Sequence, residues 1–520
     1  MGKNFLSQNR SGNPLRRSLF AAIALGILLG MAIHSRLSAQ ESSAESGRAD
    51  IGDSADAAVN IGSNRELFVD QYLIGALDGT TQKLWPPRDE GPVLLLDRPW
   101  EGEFCIYMTV IHANNKYQLY YRGGPTPGKG DGTDDRTCYA ESDDGIHWTR
   151  PNLGFVPWEG NNETNILFDT DPQLSHNFAP FYDTNPNCPP EQRYKALAGN
   201  EEKGLIAFVS PDGIHWKKFQ EEAVAKHRNY ACDSQNVAFW SESEQKYLCY
   251  LRVWDSYWSG FRSVARIESD DFIHWGPEGG LYMTYGDTQR EHLYVNQTTP
   301  YFRAPQLYIA TAARFMESKR VVTPEEAAAL SVVPGYDGDC SDPVLMTTRG
   351  GNVYDRTFME GLIRPGFDPG DWVSRTNYPV RGIVQTGPDE MSMYVGRFYA
   401  QPRSRIHRYT WKLDRIASIN APYKGGEFRT RPLIFKGEDL FINANTSAAG
   451  TIQVEILDKD GQPIPGYELE HSPVLTGNWI EKKIRWADDK SAAALAGQEV
   501  VLRFVMKDAD LYALRFGAEE

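Results

Sequence analysis

Three carboxylate-bearing stretches stand where loop patterns give way to strand patterns: Trp100-Glu101-Gly102-Glu103, Cys232-Asp233-Ser234-Gln235 and Arg290-Glu291-His292-Leu293-Tyr294. One carboxyl that donates a proton and a second that attacks, or takes a proton from water, form a pair able to cleave an acetal. Glu291 is the expected acid, because His292 and Tyr294 beside it offer a hydrogen-bonded, partly desolvated setting that raises a carboxyl pKa. Asp233 is its expected partner as nucleophile or base, since Gln235 and Asn236 follow it with polar groups for orienting hydroxyls. Glu101 completes the catalytic set and ranks ahead of Glu103, for Trp100 next to it can stack on an apolar ring face. Asp70 is held in reserve. Arg122, His176, Asn177, Gln235, His292, Asn296 and Arg381 are candidate contacts to a polar or acidic substrate.

No cofactor is expected. Asp337, Asp339 and Asp342 around Gly338 offer calcium an alternative, but without the regular oxygen spacing of a twelve-residue calcium loop. A P-loop, a Rossmann glycine pattern, a Gly-x-Ser-x-Gly elbow and a His-Glu-x-x-His pair are all missing from the sequence.

The elements that must position these groups are short strands. The chain has 520 residues with 13 Trp, 26 Tyr, 23 Phe, 46 Gly and 31 Pro, a mixture of strand formers and turn formers. At 41% hydrophobic and 24% charged it is globular in composition. The balance of 54 basic against 69 acidic residues gives a net charge of −15, which argues against a phosphate-backbone partner and so against nucleic acid.

A repeat supplies the architecture. Ser142-Asp143-Asp144-Gly145-Ile146-His147-Trp148 recurs as Ser210-Pro211-Asp212-Gly213-Ile214-His215-Trp216 and as Ser269-Asp270-Asp271-Phe272-Ile273-His274-Trp275. Each copy follows a strand-like run, so each reads as a hairpin turn: Asp caps turn amides, Gly supplies positive φ, and Trp packs on the neighbouring unit. The histidines are expected to be structural. A period of 60 to 70 residues with four strands per unit fits a β-propeller blade, and five blades fit between residues 61 and 421. Leu67 to Ile74 is expected to close the ring beside blade five, and Thr323 to Leu330 to form one short capped helix. After Pro422 evenly alternating strands predict a β-sandwich over 422–520.

The first 39 residues read as an export signal, with Lys3, Arg10, Arg16 and Arg17 ahead of an apolar run from Leu19 to Ile33. An uncleaved anchor is the alternative; residues 40–60 read as a flexible linker. The protein is therefore expected outside the cytoplasm, with no membrane contact beyond that segment. Six cysteines without a C-x-x-C pair read as buried thiols with at most a single disulfide.

A propeller followed by a sandwich in an exported chain resembles the five-bladed glycoside hydrolases of families 32 and 43. Arg65-Glu66-Leu67-Phe68-Val69-Asp70, Tyr120-Tyr121-Arg122-Gly123, Asp233-Ser234-Gln235-Asn236 and Asp355-Arg356-Thr357-Phe358-Met359-Glu360 further resemble secreted proteins of planctomycete type labelled family 32 N-terminal-like. The resemblance spans about residues 61–519 and implies a carbohydrate substrate cleaved in the propeller funnel. The Asn-Asp-Pro-Asn-Gly, Arg-Asp-Pro and Glu-Cys signatures of invertases are absent, so fructan hydrolysis is not implied. Two other readings fit the same architecture: a non-catalytic glycan-binding propeller, and a glycoside phosphorylase with Arg381 and His176 holding phosphate.

Overall fold

The computed structural model describes residues 57–124, 134–169, 171–200, 202–226, 232–256 and 259–518. The expected export signal, and the linker as far as residue 56, lie outside them. Among the described residues no helix is long and apolar enough to cross a membrane.

Five antiparallel sheets form the propeller. Their innermost strands are Ile106–Ala113, Ala179–Tyr182, Val237–Ser241, Thr299–Tyr301 and, in blade five, the pair Tyr378–Pro379 and Val384–Gly387. The aromatic and β-branched runs bury between blades: Tyr120, Tyr139, Tyr194 and Phe208 between one pair, Phe181, Phe239, Tyr247 and Tyr250 between the next. No single blade could cover both of its faces, which is why the stack is the stable unit.

Ring closure differs from expectation. Arg88–Leu95 is the strand that pairs with Arg405–Lys412 and completes blade five. Leu67 to Ile74 instead enters the C-terminal sheet, where Glu66–Leu67 pairs with Leu514 and Ala513, and Ile74–Asp78 with Gly426–Thr430. The physical reason lies in exposure. The closing strand is an outer edge, largely solvated and charged, so it carries no apolar alternation; Leu67, Phe68, Val69 and Leu73 are apolar because they bury in the other core.

The C-terminal sandwich is one folded-over sheet of ten strands dominated by Asp439–Asp458 and Glu499–Gly517. It also takes Val59–Gly62, Thr81–Leu84 and Ala417–Ala421, so its chain comes from both ends of the propeller rather than from 422–520 alone. Phe428, Phe435, Ile442, Val454, Phe504 and Phe516 fill its core. Leu67, Val69 and Ala513 of this sheet share a further apolar cluster with Ile309, Met391 and Trp411 of the propeller, and Arg65 and Arg303 share Asp414 across the same contact.

The turn motif behaves as its residue types require. Asp144 Oδ1 accepts from the amides of Ile146 and His147 at 2.8 Å, and the Asp212 and Asp271 copies repeat the pattern within 0.1 Å. Gly213 has φ of 80°, and a Cβ there would stand 2.3 Å from the Tyr120 hydroxyl of blade one. Pro324–Ala329 is the expected short helix, opened by a Thr323–Glu326 capping box. All six cysteines are buried thiols.

Candidate functional site

The starts of the innermost strands converge at one mouth of the propeller, and the backbone there is strained. Tyr107, Cys232, Gln297, Arg375 and Asn377 all have positive φ, between 50° and 67°, and Phe398 and Ala400 in the adjoining turn lie at 60° and 57°. Non-glycine residues reach this region only when surrounding contacts impose it, and such residues cluster at functional sites.

Side chains around these positions form an arginine and tyrosine cluster. The guanidinium carbon of Arg375 lies 5.4 Å from the Tyr294 ring centre, that of Arg262 5.1 Å and that of Arg252 5.8 Å. Burial pushes the Tyr294 phenol up, but the three guanidinium charges outweigh it and hold the group below its ordinary value. Tyr378 packs on Tyr294 with ring centres 5.6 Å apart, and Trp254 faces both Arg252 and Arg262.

Two carboxyls flank this cluster in contrasting states. Asp233 is paired with the buried guanidinium of Arg252, with 49% of its own side chain exposed. Asp339 is raised above its ordinary value by burial, against the opposing pull of the Ser374 hydroxyl and of Arg375 and Arg262; its Oδ1 is buried without a hydrogen-bond partner among the described residues. A carboxyl whose pKa is raised by burial and a carboxylate paired with a guanidinium are the two kinds of group that acid–base chemistry uses.

Beside the cluster, Arg122 donates to the Phe104 carbonyl and the Tyr399 hydroxyl, and its Nη1 lies 3.0 Å from His176 Nδ1. His176 is 2.5 Å from the buried Asp135. Burial and Arg122 lower the imidazole pKa while Asp135 raises it, and the net direction is downward. Glu103 sits at the rim, where burial alone raises it; Ala400 donates to its carbonyl, and Phe104 next to it packs on Tyr336 and Tyr399. His292 accepts from the Arg262 backbone amide and stacks at a tilt on Phe261.

Of the candidates read from the sequence, Asp233, Arg122, His176, His292 and Glu103 thus belong to the mouth. The others serve elsewhere. Glu291 accepts from Arg314 and Arg356 at 3.1 and 2.7 Å, one guanidinium per oxygen. It stands just before the strand His292–Leu293, and each of its oxygens is engaged by an arginine, which does not favour the acid role expected of it. Glu101 has 0% exposure and is filled by Tyr121, Arg150 and the Arg98 amide, which removes it from substrate contact. Asp70 pairs with Arg349 at the sandwich, at 2.7 Å.

Asn177, Gln235, Asn296 and Arg381 tie the blades together. Asn177 donates to the carbonyls of Gly199, Cys232 and Ser234, and Asn296 to that of Tyr250. Gln235 reaches Thr109 at 2.7 Å and accepts from Gln297 at 2.8 Å. Arg381 crosses the central channel to the carbonyls of Pro180 and Ala238, each at 2.8 Å, and burial lowers its pKa to about 10. Arg381 and His176 are thus engaged with separate partners, and among the described residues no contact joins them as the expected phosphate site. The three acids around Gly338 also diverge: Asp337 pairs with Arg320, Asp342 with Arg314, and Asp339 faces the mouth.

Sequence reasoning did not single out Tyr107, Arg252, Arg262, Arg375 and Tyr378, and it read Asp339 only as part of an acidic cluster around Gly338.

No family model and no curated protein matches the chain. It is similar to solved structures that include a glycosyl hydrolase from Bacteroides ovatus, at 15% identity and TM-score 0.38 over 66% of this chain and 96% of that one. Others are a β-1,2-mannobiose phosphorylase from Listeria innocua, at 12% and 0.40 over 64% and 97%, and an N-acetylgalactosamine deacetylase from F. plautii, at 13% and 0.40 over 64% and 96%.

Proposed function

We propose that the mouth of the propeller hydrolyses a glycosidic bond, with Asp339 as general acid and Asp233 as general base. The observation that carries this reading is the contrast between the two carboxyls: burial raises the pKa of one and Arg252 pairs with the other, and both adjoin the arginines packed on Tyr294. Asp339 gives its proton to the leaving-group oxygen as the anomeric C–O bond breaks. Asp233, half exposed and oriented by Arg252, takes a proton from the water whose oxygen bonds to the anomeric carbon. Trp254, only partly buried, supplies a ring on which a sugar can stack.

Direct displacement by water inverts the anomeric centre. The test is incubation of the purified full chain with a panel of oligosaccharides, followed by reducing-end assay and proton NMR of the first-formed anomer. Release of the inverted anomer is expected. Retention would convert Asp233 into a nucleophile, and no release from any substrate would leave a binding propeller.

A further inference from the structure

Of the arginines at the mouth, Arg122, Arg252 and Arg262 each have a carboxylate partner and Arg375 is set among rings. Arg375 lies among four rings, its guanidinium carbon 5.4 Å from Tyr294, 6.0 Å from Phe315, 5.4 Å from Tyr336 and 5.9 Å from Tyr399. Among the described residues no carboxylate comes within ion-pair distance of it; its contacts are the Ser374 hydroxyl at 3.4 Å and the Tyr294 phenol. Arg262, at 4.9 Å from the Phe315 ring and 4.6 Å from that of Trp254, has as its carboxylate partner Glu317, which is 53% exposed. Asp339, which feels the charge of both arginines, is held towards its neutral form by burial.

A guanidinium withdrawn from water among aromatic rings keeps part of its stabilisation through the ring faces, but its forked donors stay open to an oxyanion. The left-handed backbone of Arg375, φ 52°, shows that the fold imposes this position. We propose that the substrate carries an oxyanion substituent, a carboxylate or a sulfate ester on the sugar, and that Arg375 and Arg262 bind it. A planar or tetrahedral oxyanion can accept two parallel N–H bonds from such a fork. It would complete the charge balance and fix the sugar with the scissile bond near Asp339. The inference rests on the reading of this mouth as a glycan site.

The test is calorimetric titration of the full chain with four probes: a trigalacturonate, a sulfated galacto-oligosaccharide, the matching neutral galacto-oligosaccharide and inorganic phosphate. At least one acidic probe is expected to bind ten times or more tightly than the neutral one, and to weaken as salt rises from 50 to 500 mM, on the order of the screening expected for charged partners. The uronate and sulfate arms identify which oxyanion the pocket takes. Arg262→Met and Arg375→Met should each weaken that probe about tenfold or more with unchanged thermal melts, and Arg375→Lys should recover part of the loss. Should Arg375→Met fail to fold, Arg262→Met, on the solvent side, carries the comparison.

Equal affinity for neutral and acidic probes, wild-type affinity in Arg262→Met, or saturation by phosphate with no binding of either acidic glycan would overturn the proposal. Acidic probes that bind but are never cut leave the anion pocket standing and remove hydrolysis. An acidic glycoside cut no faster than its neutral counterpart, and at the same rate by Arg262→Met as by the wild type, does the reverse.

Discussion

The hairpin turns at the rim of the blades and the strand starts at the mouth are built from similar polar residues and behave in opposite ways. In the turns, Asp144, Asp212 and Asp271 meet the same partners three times over: two backbone amides, one serine hydroxyl and one exposed histidine. Every hydrogen bond closes within seven residues. At the mouth each blade contributes something different, Tyr107, His176, Asp233, Tyr294 and Arg375 in turn: Arg122 and Asp233 find their opposite charges within their own blades, while Arg375 packs on Tyr294 of the neighbouring blade. What repeats is architecture, since each blade needs the same turn to dock on the one before it, as Tyr120 and Tyr394 do on the carbonyls of Gly213 and Gly145. What departs from the repeat is the set of side chains at the mouth, where Arg375 is set among rings rather than against a carboxylate.

The contrast is broken most severely at the mouth. Asp233→Asn should lower kcat by about 10³-fold, the upper range for loss of a general base, with a melting curve like that of the wild type. The comparison fails if that variant turns over normally, or if it loses activity only because it melts early.

In the turns the effect should be on stability alone. Asp212→Ala opens two backbone amides and should cost about 1–2 kcal/mol, read by denaturant titration, while kcat is unchanged for the folded protein. A fall in kcat at constant stability would give the turn a part in chemistry that its geometry does not provide.

The two regions should also respond to pH with opposite sign. Although burial raises Asp212, its backbone bonds from His215 and Ile214 and the imidazole bring it down to about 2. Its stabilisation is therefore present above the unfolded value of about 4 and lost as pH falls through about 2. Asp339 is raised, so its contribution is complete below about 4 and is lost as pH rises through its folded value. Asp339→Asn, which removes a titrating buried group, should thus melt higher than wild type at pH 8, with the gap closing towards pH 4. A constant gap across that range would place Asp339 in solvent.

The smallest effect belongs to the histidines. His147, His215 and His274 are 85%, 67% and 86% exposed, and His147→Gln should move stability by no more than about 0.5 kcal/mol and leave rates untouched.

The same distinction explains what the sequence could reveal. The turns were legible because their logic is local: Ser, Asp, Gly and Trp act within one stretch of chain, and three copies betray the blade period. Asp233 and His176 were legible because innermost strands start at the mouth whatever their sequence. Glu291 and Glu101 share that placement, and their diversion to Arg314, Arg356 and Arg150 depends on which way each side chain turns and on arginines far along the chain. Asp339, Arg262 and Arg375 meet only because three blades close into a ring. Closure by Arg88–Leu95 was hidden for a related reason, an outer edge strand having no buried face to impose alternation.

The most direct test of the account is the leaving-group dependence of Asp339→Asn. With aryl glycosides of a sugar the wild type accepts, the variant should lose about 10²-fold or more when the departing phenol is poor and little when it is strongly activated, because only the poor one needs a proton. Equal losses across the series, or no loss at all, would contradict Asp339 as the acid.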